Sequence, residues 1–368
     1  MRSFLLACSL SYVYALANFN VDLERKASYQ TWCLGECKDI TTVSTPGAVL
    51  MGGGTDTKEA FAWQVAHANG GDFLVLRASG DDAYNEYIME ISIASGHPLN
   101  SVTTLLFNSA SASAEQEVLD LVTNAEAIFF AGGDQSDYLK YWAGTEVQSI
   151  IQSKLSQITV GGTSAGLAIL GNYVYSGEKG SVVSEDALAN PYDREITIVP
   201  AFLKIPFMDT IITDTHFVTR DRMGRMLTFV ARILQDNEYT KNTFANTPTN
   251  TNNNSTTIVR GVGVDEHTAL LLDVTTGHVT AVGVSTAYVC TADHNPEVCL
   301  SGVPLTFKDI QCTSLSGASQ DTYSFNTFTA SSGNSGDDDY TNDILDGRFT
   351  TPPYGKFTTG TSSPDELK

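Results

Sequence analysis

The strongest constraint on the fold is a repeated alternation of short apolar strands and amphipathic helices between residues 47 and 234. The strands are continuous apolar runs, which are typical of strands covered on both faces in a parallel sheet. We therefore predict a doubly wound α/β fold with a mostly parallel sheet and with ligands at the carboxyl ends of its strands. The predicted strands are Ala48–Met51, Phe73–Leu76, Val102–Phe107, Ala127–Phe130 and Ile158–Val160, and the predicted helices are Lys58–Ala68, Tyr84–Ala94, Glu115–Thr123 and Val147–Ser156.

The pattern changes between Thr256 and Cys290, where short apolar runs are broken by turns such as Thr276-Gly277. These runs predict antiparallel hairpins added to the C-terminal edge of the same sheet. Beyond Gln311 the chain is rich in Ser, Thr, Gly and Asp, which predicts a loose tail without a core of its own. The expected organisation is a signal peptide at 1–17, a lead-in at 18–46, one α/β domain at 47–312 and a tail at 313–368.

The first residues have the pattern of a secretory signal peptide. Arg2 precedes an apolar stretch at residues 4–13, and the small-x-small sequence at residues 15–17 fits a cleavage site. The stretch is too short to cross a bilayer as a helix, and no later run has that length. We therefore expect a secreted, extracellular protein without a membrane span. A buried first helix or strand is the alternative.

Cysteine usage fits an oxidising compartment, because five of the six cysteines remain after the predicted cleavage. Cys33 and Cys37 would close a short turn, and Cys290 would pair with either Cys299 or Cys312. A zinc site is the competing interpretation, but no histidine lies at ligand spacing near the first pair. We favour disulfides and expect no metal.

The charge balance excludes one class of partner. The chain has 21 basic and 42 acidic residues, for a formal net charge of −21. Nucleic-acid binding requires clustered Lys and Arg, so we expect neither DNA nor RNA as a partner.

Two overlapping sequons at residues 253–256 predict glycosylation of a polar surface loop. The sequence does not decide between a monomer and a homodimer.

A G-x-S-x-G motif directly follows the fifth predicted strand, at Gly162-Thr163-Ser164-Ala165-Gly166. Glycines on both sides let the backbone turn sharply and hold the serine hydroxyl at the edge of the sheet. The helix that follows points the positive end of its dipole at the place where an oxyanion would form. Ser164 is therefore the candidate nucleophile. The alternative is a serine that only caps the helix.

A nucleophilic serine needs a base, and His216 is the best placed of the six histidines. It follows the apolar run Ile211-Ile212, so it lies at the carboxyl end of another predicted strand. Surface or core positions are the simpler interpretation for the others, which are His67, His97, His267, His278 and His294.

Three arginines follow His216 closely in a chain that has few basic residues. Arg220, Arg222 and Arg225 are candidates for binding substrate carboxylates through charge-assisted hydrogen bonds. A solvated helix face, or pairing with Asp214 and Asp221, is the alternative, and we expect it to hold for at least one of them.

Taken together, these motifs resemble the cyanophycinase and aspartyl dipeptidase (peptidase E) family of serine peptidases. The resemblance covers roughly residues 47–290 and implies a class I glutamine-amidotransferase-like, flavodoxin-like fold with Ser164 as nucleophile and His216 as base. It also implies an oxyanion hole formed by the amides of Gly133 and Ala165. The motifs are Gly133-Asp134-Gln135, Gly162–Gly166, and Asp214-Thr215-His216-Phe217 with the three arginines. The residues implied in substrate binding are Gln135, Asp214, Arg220, Arg222 and Arg225.

The resemblance further implies an acidic third member of the triad, soon after the helix that follows the nucleophile. Glu178 lies at nearly the offset of the acidic residue in the dipeptidase branch, and we prefer it to its rival Glu185. Thr215 stands where cyanophycinases typically carry Gln. An aspartyl-type peptide is therefore implied more firmly than cyanophycin itself.

The sequence thus predicts a secreted serine peptidase that hydrolyses aspartyl peptide or isopeptide bonds, in β-Asp-Arg units of cyanophycin or in Asp-X dipeptides, without a cofactor. One alternative is an α/β-hydrolase esterase, which shares G-x-S-x-G but normally carries its histidine much further downstream. That class also uses an upstream His-Gly-Gly element, which this sequence lacks. The other alternative is a catalytically idle secreted binding protein, in which loss of Ser164 or His216 would be expected.

Overall fold

The computed structural model describes residues 28–244, 258–330 and 339–355 of the 368-residue chain. The predicted signal peptide and the two sequons lie outside the described residues. Among the helices in these three ranges, none combines the length and apolar character needed to cross a membrane.

The described residues form eighteen strands and eight α-helices. The strands are β1 Tyr29–Gly35, β2 Gly47–Met51, β3 Asp72–Arg77, β4 Ser101–Phe107, β5 Ala127–Phe130, β6 Thr159–Thr163, β7 Tyr173–Tyr175, β8 Ile198–Pro200, β9 Ile211–Asp214, β10 Val259–Val264, β11 Thr268–Leu272, β12 His278–Gly283, β13 Thr286–Ala292, β14 Phe307–Ser316, β15 Thr322–Ser324, β16 Thr329–Ala330, β17 Asp339–Leu345 and β18 Arg348–Phe349. The helices are α1 Lys58–Ala68, α2 Ala83–Ala94, α3 Gln116–Asn124, α4 Gln135–Trp142, α5 Glu146–Lys154, α6 Ala165–Ala168, α7 Ser184–Ala189 and α8 Met223–Phe244.

The first sheet has ten strands in the order β1-β4-β3-β5-β6-β2-β11-β12-β15-β16. The five adjacent strands from β4 to β2 are all parallel to one another. At the two ends of this group, β1 pairs with β4 and β11 pairs with β2 in the antiparallel direction. All five predicted strands are present, and the prediction of a mostly parallel α/β core is confirmed. The sequence pattern does not predict β1, because this edge strand is largely exposed and has no apolar run. The expected lead-in therefore contributes a strand to the sheet.

A second sheet of eight strands has the order β18-β17-β14-β13-β10-β9-β7-β8. Here β9 is parallel to both β10 and β7. The hairpin β11–β12 extends the first sheet beside β2, as the sequence predicts. In contrast, β10 belongs to the second sheet, where its parallel pairing brings Gly263 opposite Asp214. The ends of β9 and β10 therefore lie side by side.

The prediction of a loose tail beyond residue 312 is wrong for the described part of that region. β14 crosses the expected boundary and pairs with both β13 and β17. Tyr323, Phe325 and Ile344 are buried. A few widely spaced apolar side chains anchor these strands, although the average composition of the region is polar.

One apolar core fills the space between the two sheets. It contains Leu76 and Phe130 from the first sheet together with Ile211, Val262 and Val264 from the second. Separate clusters cover the outer faces, under α1 and α2 on the first sheet and under α8 on the second. The shared core fixes the carboxyl ends of β6, β9 and β10 relative to one another.

Each sheet carries one disulfide. Cys33 bonds to Cys37 at the end of β1, and Cys290 bonds to Cys312 across β13 and β14. The structure thus confirms the first predicted pair and selects Cys312 over Cys299 for the second. Cys299 is a buried free thiol, and burial raises its pKa to about 12.

Candidate active site

The backbone makes a strained turn at Ser164, directly after β6. Ser164 has φ 53° and ψ −116°, a conformation that residues with side chains rarely adopt. The turn brings backbone segments into contact, since a Cβ on Gly162 would lie 2.5 Å from the Gly166 backbone, and one on Gly166 would lie 2.0 Å from the Phe130 carbonyl oxygen. The two glycines of the motif are therefore required by close packing. The turn holds the serine hydroxyl at the edge of the sheet.

His216 lies within hydrogen-bond distance of the serine. Its Nε2 is 2.7 Å from Ser164 Oγ. The His216 backbone has φ 47° and donates its N–H to the Gly52 carbonyl at 2.8 Å. The imidazole lies so close to Gly53 that a Cβ there would be 2.4 Å from its Cε1 atom. The glycine run after β2 thus shapes the space that the imidazole occupies.

Glu266 completes a hydrogen-bonded chain from the serine. Its Oε1 lies 2.5 Å from His216 Nδ1. If Nδ1 carries the proton and donates it to this carboxylate, the Nε2 lone pair faces the serine hydroxyl. A serine, a histidine and an acid in this order form the geometry of a catalytic triad. The His216 side chain is 8% exposed and that of Glu266 is 20% exposed.

The structure does not bring the predicted third member Glu178, or its rival Glu185, to His216. Glu178 lines a different cavity beside Val199 and Phe202, and Glu185 lies in the first turn of α7. In the described residues neither forms a hydrogen bond with His216. The carboxylate that contacts His216 comes instead from the end of β10, the parallel neighbour of β9. The available signal was a carboxylate after the valine-rich segment Val259–Val264, which the sequence predicts to be part of an antiparallel hairpin.

The environment of His216 favours its neutral form. Burial lowers the pKa of the imidazole below its ordinary value, and the charges of Arg220 and Arg222 lower it further. The hydrogen bond that His216 donates to Glu266 opposes this shift but does not reverse it. A neutral imidazole is the form that can accept a proton from serine.

Asp214 and Arg225 form a buried pair. Arg225 donates from Nε to Asp214 Oδ2 at 2.8 Å and from Nη2 to Oδ1 at 2.5 Å, and both side chains are 4% exposed. Arg222 donates to the Thr215 carbonyl at 2.9 Å and lies 3.7 Å from Asp214. Burial lowers the pKa of Arg222 to about 10, so it stays charged at neutral pH. Arg225 is therefore paired with Asp214, which is the alternative that the sequence left open for at least one of the three arginines.

Arg220 differs from the other two arginines. Its side chain is exposed, lines the pocket in front of Ser164 and forms no ion pair with any described residue. Its guanidinium is therefore free to bind an acidic group of a ligand.

The pocket in front of the serine has a volume of about 350 Å³ and brings most of the predicted residues together. Gln135 forms part of its wall, with its Nε2 3.4 Å from the Tyr175 carbonyl and packed against Gly177. The predicted residues that line it are Ser164, His216, Gly133, Ala165, Gln135, Asp214, Arg220, Arg222 and Arg225.

The two backbone amides predicted to form an oxyanion hole lie in this pocket. Ala165 is the first residue of α6, where a backbone N–H has no partner within the helix. The N–H of Gly133 has no backbone acceptor among the described residues. Both donors are therefore available to an oxygen atom bound beside Ser164.

Comparison with known proteins gives matches to the part of the chain that contains Ser164. Residues 49–193 match peptidase family S51. A cyanophycinase from Geminocystis herdmanii (strain PCC 6308) is 30% identical over 115 residues, which are 31% of this chain and 39% of that protein. A cyanophycinase from Trichormus variabilis is 30% identical over 106 residues, which are 28% of this chain and 32% of that protein. The matched region therefore spans less than half the length of either relative.

The structure is also similar to the crystal structure of a peptidase from an acI-B1 Actinobacterium, with a TM-score of 0.47 and 18% identity, over 77% of this chain and 98% of that one. The match of residues 49–193 includes the Ser164 turn and both of its glycines. In this segment the chain is therefore similar to peptidase family S51.

Proposed function

We propose that this protein is a serine-type peptidase that uses Ser164, His216 and Glu266 as its triad. The observation that carries the proposal is the unbroken chain from Ser164 Oγ to His216 Nε2 at 2.7 Å and from His216 Nδ1 to Glu266 Oε1 at 2.5 Å. Ser164 attacks a carbonyl carbon of the substrate while His216 accepts the serine proton. Glu266 keeps the imidazole in the required tautomer and orientation.

The remaining steps use groups of the same pocket. The amides of Gly133 and Ala165 stabilise the negative oxygen of the tetrahedral intermediate. His216 then donates its proton to the leaving amine, which leaves an acyl-enzyme on Ser164. A water molecule, activated by His216, hydrolyses this ester and restores the free serine.

The proposed substrates are peptides or isopeptides of aspartate. A free guanidinium at Arg220, the charged Arg222 and the amide of Gln135 surround the pocket, which suits a carboxylate close to the scissile carbonyl. Two relatives carry the name cyanophycinase. We therefore propose β-Asp-Arg units of cyanophycin or Asp-X dipeptides as substrates. Asp214 and Arg225 shape the pocket as a neutralised pair.

We place the enzyme outside the cell. The apolar leader that ends near residue 17, the sequons at 253–256 and the two disulfides are the features that support this proposal.

The decisive experiment incubates the purified protein with cyanophycin, β-Asp-Arg and α-Asp-X dipeptides, followed by mass analysis of the products. Ser164→Ala should lower kcat by about 10⁶-fold if the triad acts as a unit. Ser111→Ala, which alters an exposed serine outside the pocket, is the matched control. Retention of most activity by Ser164→Ala would exclude this mechanism.

Two other results would select a different function. Hydrolysis of a p-nitrophenyl ester with no cleavage of any aspartyl peptide would identify an esterase. Failure of a fluorophosphonate probe to label the native protein would identify a catalytically idle binding protein.

A further inference from the structure

Asp265 binds the chain segment that follows His216. It lies between β10 and Glu266 and is 6% exposed. Its Oδ1 accepts hydrogen bonds from the backbone N–H groups of Val218 at 3.0 Å and Thr219 at 2.9 Å. Its Oδ2 accepts a hydrogen bond from the Ser285 hydroxyl at 2.7 Å. Both carboxylate oxygens are therefore used, by two donors from the segment that follows His216 and by one from Ser285.

The segment held by Asp265 has no regular structure of its own. Residues 215–222 connect β9 to α8, and His216 and Asp221 both have φ near 47°. Turn-like bonds within the segment join the Arg220 N–H to the His216 carbonyl at 2.9 Å and the Arg222 N–H to the Phe217 carbonyl at 2.8 Å. The N–H groups of Val218 and Thr219 take no part in these bonds. Without the carboxylate, two backbone donors would lose their partner.

We propose that Asp265 is a positioning residue for the serine hydrolase reaction, an inference that rests on the proposed function. By fixing residues 218 and 219, it holds the His216 backbone in the conformation that directs Nε2 at Ser164. Its neighbour Glu266 holds the other side of the same imidazole. Two consecutive residues at the end of β10 thus fix His216 twice, once through its side chain and once through its backbone.

Two substitutions separate this role from the effect of charge. Asp265→Asn keeps one oxygen for the two N–H groups, and its amide can donate to the Ser285 oxygen. Asp265→Ala removes all three hydrogen bonds. We expect Asp265→Ala to lower kcat about 100-fold with a smaller change in KM, because a small displacement of a reacting group has an effect of that size. We expect Asp265→Asn to stay within roughly fivefold of the native kcat, since the hydrogen-bond geometry is kept.

Asp321→Ala is the matched control for the loss of a buried carboxylate. Asp321 is 3% exposed, accepts the Ser316 N–H at 2.9 Å and does not line the pocket. We expect this variant to be destabilised like Asp265→Ala, as measured by urea unfolding, with an unchanged kcat. A merely structural role for Asp265 would give the two variants the same kcat.

A readout without substrate keeps the inference separate from the proposed function. The His216 Nδ1 proton should give a downfield NMR signal in the native protein and in Asp265→Asn, and this signal should be lost or broadened in Asp265→Ala. If Ser164→Ala stays active while the signal changes in this way, the proposed function fails but the positioning role stands. A folded Asp265→Ala with native kcat and a native signal overturns the positioning role.

Two further outcomes also decide the question. Equal loss of activity in Asp265→Asn and Asp265→Ala would assign the effect to charge and overturn the inference. If Asp265→Ala does not fold, Ser285→Ala takes its place, because it removes only the bond to Oδ2 and should lower kcat by roughly 2- to 10-fold. A native kcat and a native Nδ1 signal in Ser285→Ala would then overturn the inference.

Discussion

The proposed nucleophile and its proposed base belong to different sheets of this molecule. Ser164 follows β6 of the first sheet, within the residues that match family S51, whereas His216 and Glu266 follow β9 and β10 of the second sheet, beyond that match. The serine turn is built locally, by two glycines within four residues of each other. The position of His216 depends on distant segments, namely the glycine run after β2 and the end of β10. The proposed active site therefore exists only where the two sheets meet.

The largest expected effect tests which carboxylate, that of Glu266 or that of Glu178, orients the imidazole of His216. Glu266→Gln should lower kcat by about 10⁴-fold, because an amide at this position favours the wrong imidazole tautomer. Glu178→Gln is the control, since Glu178 lines a separate cavity, and it should leave kcat unchanged. Steady-state kinetics on the best substrate measures both. The opposite ranking of the two variants would return the third position to Glu178 and place the acid in the segment that matches the family.

The next effect distinguishes the buried, paired Arg225 from the exposed Arg220, both of which follow β9 of the second sheet. Arg225→Met removes the guanidinium that contacts both oxygens of the buried Asp214 carboxylate, and it should lower the free energy of unfolding by about 3–5 kcal/mol. Arg220→Gln should leave the urea midpoint unchanged and raise KM for aspartyl substrates selectively. An equal loss on an uncharged ester would show instead that Arg220 is structural.

A smaller effect tests the contact between the glycine run after β2 of the first sheet and the imidazole of His216. Gly53→Ala places a Cβ against the His216 ring and should lower kcat by about 100-fold, since it displaces the base from the serine. Gly96→Ala is the control, because Gly96 also has a positive φ but a Cβ there meets nothing within 4 Å. Both variants should lose about 1–2 kcal/mol of stability from backbone strain. Equal kcat values in the two variants would contradict the proposal that the space beside Gly53 positions the imidazole.

The smallest effect concerns pH. Because burial lowers the pKa of His216, the imidazole loses its proton at a lower pH than an ordinary histidine, and the active neutral form persists into mildly acidic solution. The acidic limb of the kcat/KM profile should therefore have its midpoint below about 6.5. Arg220→Gln removes one charge that lowers this pKa, so the midpoint should move to higher pH. A midpoint that does not move would show that Arg220 lies too far from His216 to affect it.

The sequence predicted the first sheet well because its signals are local. Continuous apolar runs identified the five parallel strands, and α1 matches its predicted bounds at both ends. The turn at Ser164 was predictable for the same reason, since the two glycines that permit it flank the serine. His216 was identified by its place after an apolar strand.

The second sheet was harder to predict because its structure depends on which strands become neighbours. Nothing in Val259–Val264 specifies a parallel partner, so the carboxylate at Glu266 was not connected with His216. The region beyond residue 312 was misjudged because average composition hides the few buried anchors, Tyr323, Phe325 and Ile344. Long-range pairing, rather than residue type, decided both cases.

The apolar core that the two sheets share has a consequence for how the protein would fail. For the ends of β6 and β9, which precede the serine and the imidazole, to move apart, the sheets must slide past each other, and this would admit water among Phe130, Ile211 and Val264. Opening of so central a region requires nearly the full free energy of unfolding. On warming, loss of hydrolysis and loss of the folded state should thus coincide. We therefore expect no partly unfolded form in which the serine turn stays folded while the ends of β6 and β9 have separated.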